Sequence, residues 1–506
     1  MNNKVAQMRI PRRHILVSVL FLTASMGGKA ERPRLLDSLQ YRAELQTTIG
    51  TGDHSPLWLN ANRYGLSSLK SSSGYVRGAL ERPLAADNSR RWGIGYGVDA
   101  AVAAGFTSTL VLQQAYVEGR WLKGVLTIGA KELPMELKNA QLSSGSQTLG
   151  INARPVPQVR LSLPDYWAVP GTRQWLSLKG HVAFGRTTDD GWQKDFTQQR
   201  SRYTEGTLFH SKAGYVKIGP GPVSVEAGLE LATQFGGKAI LFENGQKQVI
   251  ENEGGLKSMV NALLMSGSDA TDGSFKNVEG NHLGSWVVRV NIDQPSWNLG
   301  LYADQFFEDH SMMTHYSKSG GKYFVYDFKD WLLGVELRLK RTDWLQAVVV
   351  EYMYTKYQGG PVYHDHTPSW DVQISGRDNY YNHAYFTGWQ HWGQVMGNPL
   401  YLSPLYNADG SIEVKHNRFV AWHLGVSGQP HQRLHYRLLA TTQKSYGSYY
   451  NVPSEPEKSL SLMAEVQYQF PKGGWSIRGA AGMDSGKLRG DNFGFQLGII
   501  KRGLLK

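Results

Sequence analysis

Apolar and polar residues alternate with period two along most of this chain, and that alternation limits what it can fold into. Successive side chains of a β-strand point to opposite faces, so each such segment is a strand with one apolar and one polar face. Val223, Val225, Ala227, Leu229 and Leu231 alternate with Ser224, Glu226, Gly228 and Glu230. Trp331, Leu333, Val335, Leu337 and Leu339 interleave with Gly334, Glu336, Arg338 and Lys340. The same rhythm runs through 176–184, 460–470 and 493–499, with the last strand expected to end near Ile500. A soluble sandwich and a membrane barrel share this pattern and differ only in which face is outside. Two features of these segments, together with an export signal, favour the membrane. The segments are about ten residues long, enough for a tilted strand to cross a bilayer. Aromatic residues also sit at strand ends (Trp175, Phe184, Trp286, Trp297, Trp331, Tyr468, Phe470, Trp475), as interfacial girdles require.

Residues 1–30 read as a secretory signal. Lys4, Arg9, Arg12 and Arg13 form a basic start, Ile15–Ala24 an apolar core, and Gly28 and Ala30 suit cleavage before Glu31. The core is too short for an anchor helix, and no later apolar run approaches a spanning one. The expected mature domain is 31–506, exported to the outer membrane. With no cysteine, it is stable without disulfides. The formal charge of +12 includes five signal cations, so 12 − 5 = +7 remains. That excess is scattered, which argues against a nucleic-acid partner and is compatible with anionic polysaccharide or lipopolysaccharide. At roughly 25 residues per strand and loop, the domain makes about 18 antiparallel strands, all-β.

Four segments interrupt the rhythm. Leu133–Asp165 is irregular and proline-bearing, and Thr187–Glu205 is polar and mixed in charge, as an exposed loop would be. Gly255–Met265 has helical spacing at Leu256, Met259, Val260, Leu263 and Leu264, and predicts a short helix in a loop or the lumen. The fourth is 371–407, dense in Tyr, Trp, Asn, His and Gly. Segments 133–165 and 371–407 are candidate plug or mouth insertions. Within the last, Asp378, Asn379, Tyr380, Tyr381, Asn382 and His383, with Trp389 and His391, offer flat rings for the apolar face of a sugar and polar groups for its hydroxyls. The same residues would also suit a plug. Trp58 and Arg63 are a second candidate pair, with Arg63 pairing either with an anionic sugar or with a lumen carboxylate such as Glu226 or Glu336.

Several local patterns carry a family resemblance. They are WLNANRYGLSSL (58–69), LSSGSQTLGINARPVPQV (142–159), FFEDHSMM (306–313), QGGPVYHD (358–365), GRDNYYNHAYFTGW (376–389), GNPLYLSPLYN (397–407) and NRFVAWHLGVSG (417–428). In this order they resemble the Wzi-type capsule-assembly family, in its Bacteroides-like branch. The resemblance implies an outer-membrane barrel acting as a non-catalytic surface lectin that attaches or organises capsular polysaccharide. Enterobacterial relatives carry a periplasmic helical bundle, and nothing before Trp58 matches one.

Other chemistries have weaker support. His364-Asp365-His366 lacks the further ligands of a metal site, and reads as a solvated loop. There is no G-x-S-x-G, H-E-x-x-H or P-loop motif. Ser403 with His383 could be nominated for a rim hydrolase, and Asp371 with Asp378 for glycoside cleavage, with nothing in the sequence to orient either pair. No cofactor is expected. The alternatives to a lectin are a sugar or small-solute pore, and a rim deacylase or esterase.

Overall fold

The computed structural model describes residues 35–505 apart from 244, 267–278, 309–328, 359–362, 365–372 and 375–377. The expected signal, Asp365, His366 and Asp371 lie outside the described residues. Eighteen strands pair antiparallel in chain order, and Gln40–Thr51 closes onto Asn492–Leu504 to complete a barrel.

The polarity of the wall identifies its solvent. Leu45, Val76, Val98 and Val117 are exposed on the outside, while their neighbours Glu44, Arg77, Asp99 and Glu118 are buried inside. This inverts the arrangement of a soluble sandwich, and closure leaves no strand edge unpaired. The barrel is an outer-membrane barrel. Several inward charges are paired: Arg77 Nε lies 2.8 Å from Asp99 Oδ1, and Arg289 Nη2 2.8 Å from Glu336 Oε2.

Loop lengths orient it. The turns 122–123, 219–222, 294–296 and 432–433 lie at one end, and the loops 131–157 and 187–207, with the connections that leave Phe235 and Tyr354, at the other. Short turns face the periplasm and long loops the exterior. Trp92 and Trp121 stack with ring centroids 6.0 Å apart at the short-turn end, where Trp475 is also exposed.

The structure refines several of these expectations. The irregular 133–165 segment ends earlier, because Gln158–Ala168 is a barrel strand whose register shifts between Leu163 and Trp167. That irregularity accommodates Pro164, which cannot donate to a regular ladder. The final strand continues past Ile500 to Leu504, paired with Gln40–Thr51 throughout. The expected short helix is present as Leu256–Leu264, and of the two places expected for it, a loop or the lumen, it takes the loop that follows Phe235, against the outer wall. The expected exposed loop 187–205 is folded, with a short helix Trp192–Phe196 and a strand Tyr203–Glu205.

Candidate functional site

The long loops 52–72, 131–157 and 378–418 turn inward at the outer end and fill the barrel. Carboxylates projecting from the wall hold them. Glu351 accepts from Ser143 Oγ at 2.5 Å, Ser144 N at 2.7 Å and Tyr302 OH at 2.6 Å. Asp304 takes Lys138 Nζ at 2.8 Å and Gln147 N at 3.2 Å, and Glu336 accepts from Asn139 Nδ2 at 2.8 Å. The insertion 131–157 thus satisfies buried wall charges that would otherwise be costly. It carries the next layer in turn. Asn398 Nδ2 donates to Gly145 O at 2.9 Å, Tyr401 OH to Gln147 Oε1 at 3.1 Å, and Tyr381 OH to Gln147 O.

Most of the residues nominated from the sequence lie inside this plug. Tyr380 and Tyr381 are 1% exposed. Both rings pack on Phe306, with centroids 4.6 and 5.4 Å away, and Tyr380 OH donates to Asp330 Oδ2 at 2.9 Å. Trp389 is equally buried and packs edge-on against Phe209 at 6.3 Å. His391 Nδ1 donates to Arg154 O at 2.9 Å, and its Nε2 accepts from Thr188 N at 3.0 Å. Burial pushes the His391 pKa down to about 4, so the imidazole is neutral. Trp58 donates from Nε1 to Thr441 Oγ1 at 3.1 Å and packs 4.8 Å from His423. Arg63 bonds Glu465 Oε2 at 2.9 Å, so its partner is a lumen carboxylate, though neither Glu226 nor Glu336. The Tyr380, Tyr381, Trp389 and Trp58 rings are each 1–2% exposed, so a surface glycan reaches none of them in this arrangement.

Asp378, Asn379, Asn382 and His383 are only partly buried. Asn382 bonds both backbone groups of Val414, at 2.8 and 3.0 Å, and Asn379 Oδ1 accepts from Asn417 Nδ2 at 2.6 Å. These amides hold the shoulder of the plug. Ser403 Oγ accepts from Val395 N, and His383 Nδ1 from Tyr385 N, so each has a structural partner. Among the described residues no group of His, Asp and Glu is arranged to hold a metal ion.

The outer mouth has a feature that the sequence did not suggest. A cleft of about 500 Å³ opens between the loops 52–72, 105–107 and 187–207 and the plug. Its walls carry Phe106, Trp192, Phe196 and Trp392, all partly exposed. Trp192 and Phe196 stack 4.9 Å apart on one turn of helix. Gly393, at φ +80°, lets the indole lie close, since a Cβ there would stand 2.6 Å from it. Arg154 holds Trp392 from behind, its guanidinium 4.2 Å from the ring centroid. Asp53, Lys70 and Asp195 are exposed at the same cleft. Trp192 stands in the run DDGWQKDF, and an indole in a charged loop was the one signal that could have drawn attention to it. A second cavity, about 370 Å³, lies on the periplasmic side of the plug and is lined by Glu118, Lys131, Arg160, Lys179 and Trp389.

The family model described as capsule assembly protein Wzi matches residues 43–401. No curated protein matches the chain. Solved structures similar to it include OccK5 (OpdH) of Pseudomonas aeruginosa, at 10% identity and a TM-score of 0.45, covering 92% of this chain and 98% of that one. OccAB4 of Acinetobacter baumannii, at 10% identity and a TM-score of 0.44, covers 93% and 100%. OccD3 (OpdP) of Pseudomonas aeruginosa, at 10% identity and a TM-score of 0.43, covers 93% and 91%.

Proposed function

We propose a function from one premise: this chain belongs to the Wzi capsule-assembly family, whose model spans most of its barrel. It is an outer-membrane capsule-assembly protein, not an enzyme. Within that role we assign it the binding of capsular polysaccharide, and we place the contact in the cleft at the outer mouth.

The observation that carries this assignment is the set of partly exposed rings, Trp192, Phe196, Trp392 and Phe106, around a cleft open to the exterior. Sugar C–H faces pack on such rings, and Asp53, Asp195 and Lys70 can bond hydroxyls or charged substituents. Asp378, Asn379, Asn382 and His383 form a polar shoulder that offers further contacts. Tyr380, Tyr381, Trp389, His391, Trp58 and Arg63 contribute indirectly, by keeping the plug rigid beneath the cleft. A transport pore would need an open lumen, and the density of bonds between plug and wall speaks against one.

Replacing Trp192 and Trp392 together by Ala tests the assignment. Capsule should be shed into the medium while the amount of protein in the outer membrane is unchanged. Trp121→Ala, at the opposite end of the barrel, should leave attachment intact. Normal attachment in the double variant would remove the cleft as the binding site.

A further inference from the structure

Met265, which ends the helix Leu256–Leu264, packs with Leu231 and Phe307. Those two residues face outward: their neighbours Glu230 and Phe306 point inward, the first bonding Tyr215 OH at 2.7 Å and the second packing on Tyr380. The helix therefore lies on the membrane-facing side of the wall, with small residues Ser258 and Ala262 as its buried positions.

Lys212 explains why it sits there. It alternates with inward-facing Ser211 and Ala213, so it points out of the barrel, level with Val182 and Leu231 on the flanking strands. Ile218, an exposed outward residue on the same strand, is 218 − 212 = 6 residues nearer the periplasmic end. At the usual rise and tilt Lys212 is roughly 15 Å above it, within an apolar band about 25 Å tall. A bare ammonium at that depth is costly. Here it donates to the carbonyls of Ala262, at 3.4 Å, and Leu263, where the helix dipole is negative.

On its free side the helix exposes Leu256 by 82%, Val260 by 51% and Leu264 by 66%, a ridge at i, i+4 and i+8. The outer wall of the neighbouring strands is apolar too, with Val225, Trp286, Val288 and Leu301 exposed on it. We propose that the helix Leu256–Leu264 is embedded in the outer leaflet, with this ridge against the acyl chains of outer-leaflet lipid. It covers the one outward lysine of its strand pair and restores an apolar surface at that height. Such an interfacial helix adds a lipid contact on one side of the barrel only, which fixes how that side meets the membrane.

The chain contains no cysteine, so single labels are straightforward. Cysteine would be introduced at Val260 and at Leu264, with Val225 as a wall reference and Gln248, exposed on a loop strand, as a water reference. Each full-length variant would carry a nitrobenzoxadiazole label in vesicles of phosphatidylethanolamine and phosphatidylglycerol. Labels at Val260 and Leu264 should be blue-shifted, resist iodide, and be quenched at least twofold by doxyl-labelled acyl chains, as at Val225. Iodide quenching without doxyl quenching at both positions, as at Gln248, would overturn the proposal. Shielding from both quenchers together with energy transfer between chains would overturn it too, since the ridge would then face a second copy.

Discussion

Lys138 Nζ lies 2.8 Å from Asp304 Oδ2, and the two side chains are 1% and 0% exposed. One belongs to the insertion 131–157 and the other to the wall, so this pair is a direct tie between plug and barrel. Removing one partner of a buried pair strands the other charge, at about 3–5 kcal/mol. Lys138→Met keeps the volume and removes the charge, leaving the Asp304 carboxylate with the donors of Gln147, its N–H at 3.2 Å and its Nε2 at 3.4 Å. The wild-type protein should pass almost no current in planar bilayers, and Lys138→Met should show discrete openings. A silent variant would mean that the plug does not depend on this tie.

Gly65 has φ +69°, and a Cβ there would stand 2.4 Å from Arg154 N. The left-handed backbone alone costs an L-residue about 1–2 kcal/mol, and the clash is with main chain that cannot rotate away. Gly65→Ala should push Arg154 off Trp392 and disorder one wall of the cleft. Capsule retention should fall while the amount of barrel in the membrane stays constant. Retention at the wild-type level would show that Arg154 does not set the position of that ring.

The strands were legible because the pleat imposes its period on side chains wherever the two faces meet different solvents. Trp331–Leu339 came out as read, and Leu176–Phe184 was extended by two residues to Arg186. The direction of the faces was not legible, since alternation is the same whichever side meets lipid. Nor was the fate of 371–407. Tyr and Asn that bond a sugar and Tyr and Asn that bond a wall carboxylate have the same composition. The helix shows the limit most directly, because Leu256, Val260 and Leu264 would form the same stripe facing a lumen or facing lipid. The cleft draws its rings from three separate loops, and no single stretch announces it.

Tyr381 and Trp192 separate support from contact. Tyr381 is fully buried among Phe306, Tyr401 and Gln147, so Tyr381→Ala leaves a large cavity, costing roughly 3–5 kcal/mol. Its effect should be a loosened plug, seen as faster protease cleavage within 378–418. Trp192→Ala should leave cleavage unchanged and weaken purified capsule binding by about tenfold, the scale of one aromatic contact. If Tyr381→Ala lowers binding with normal protease resistance, this division of labour fails.

The plug should also weaken in acid. His391 accepts Thr188 N–H on Nε2, so protonation there sets two donors against each other inside the protein. Burial holds its pKa down to about 4 against an ordinary value near 6.5, and His416 is pushed down to about 4 in the same way. A depressed histidine contributes stability that is present above pH 6.5 and lost as pH falls through about 4. Each is worth at most roughly 3 kcal/mol. Asp330 works in the opposite direction. Burial pushes it up to about 6, so its contribution is greatest below the ordinary carboxylate value and is lost as pH rises through 6. Two histidines outweigh one aspartate, and the net change from pH 7 to pH 4.5 is destabilising. Amide hydrogen exchange across 378–418 should be faster at pH 4.5 than at pH 7, after correction for intrinsic rates. His391→Gln should start from weaker protection at pH 7 and change less with acid. Equal protection of the wild-type plug at both pH values would rule out His391 as the acid-sensitive contact.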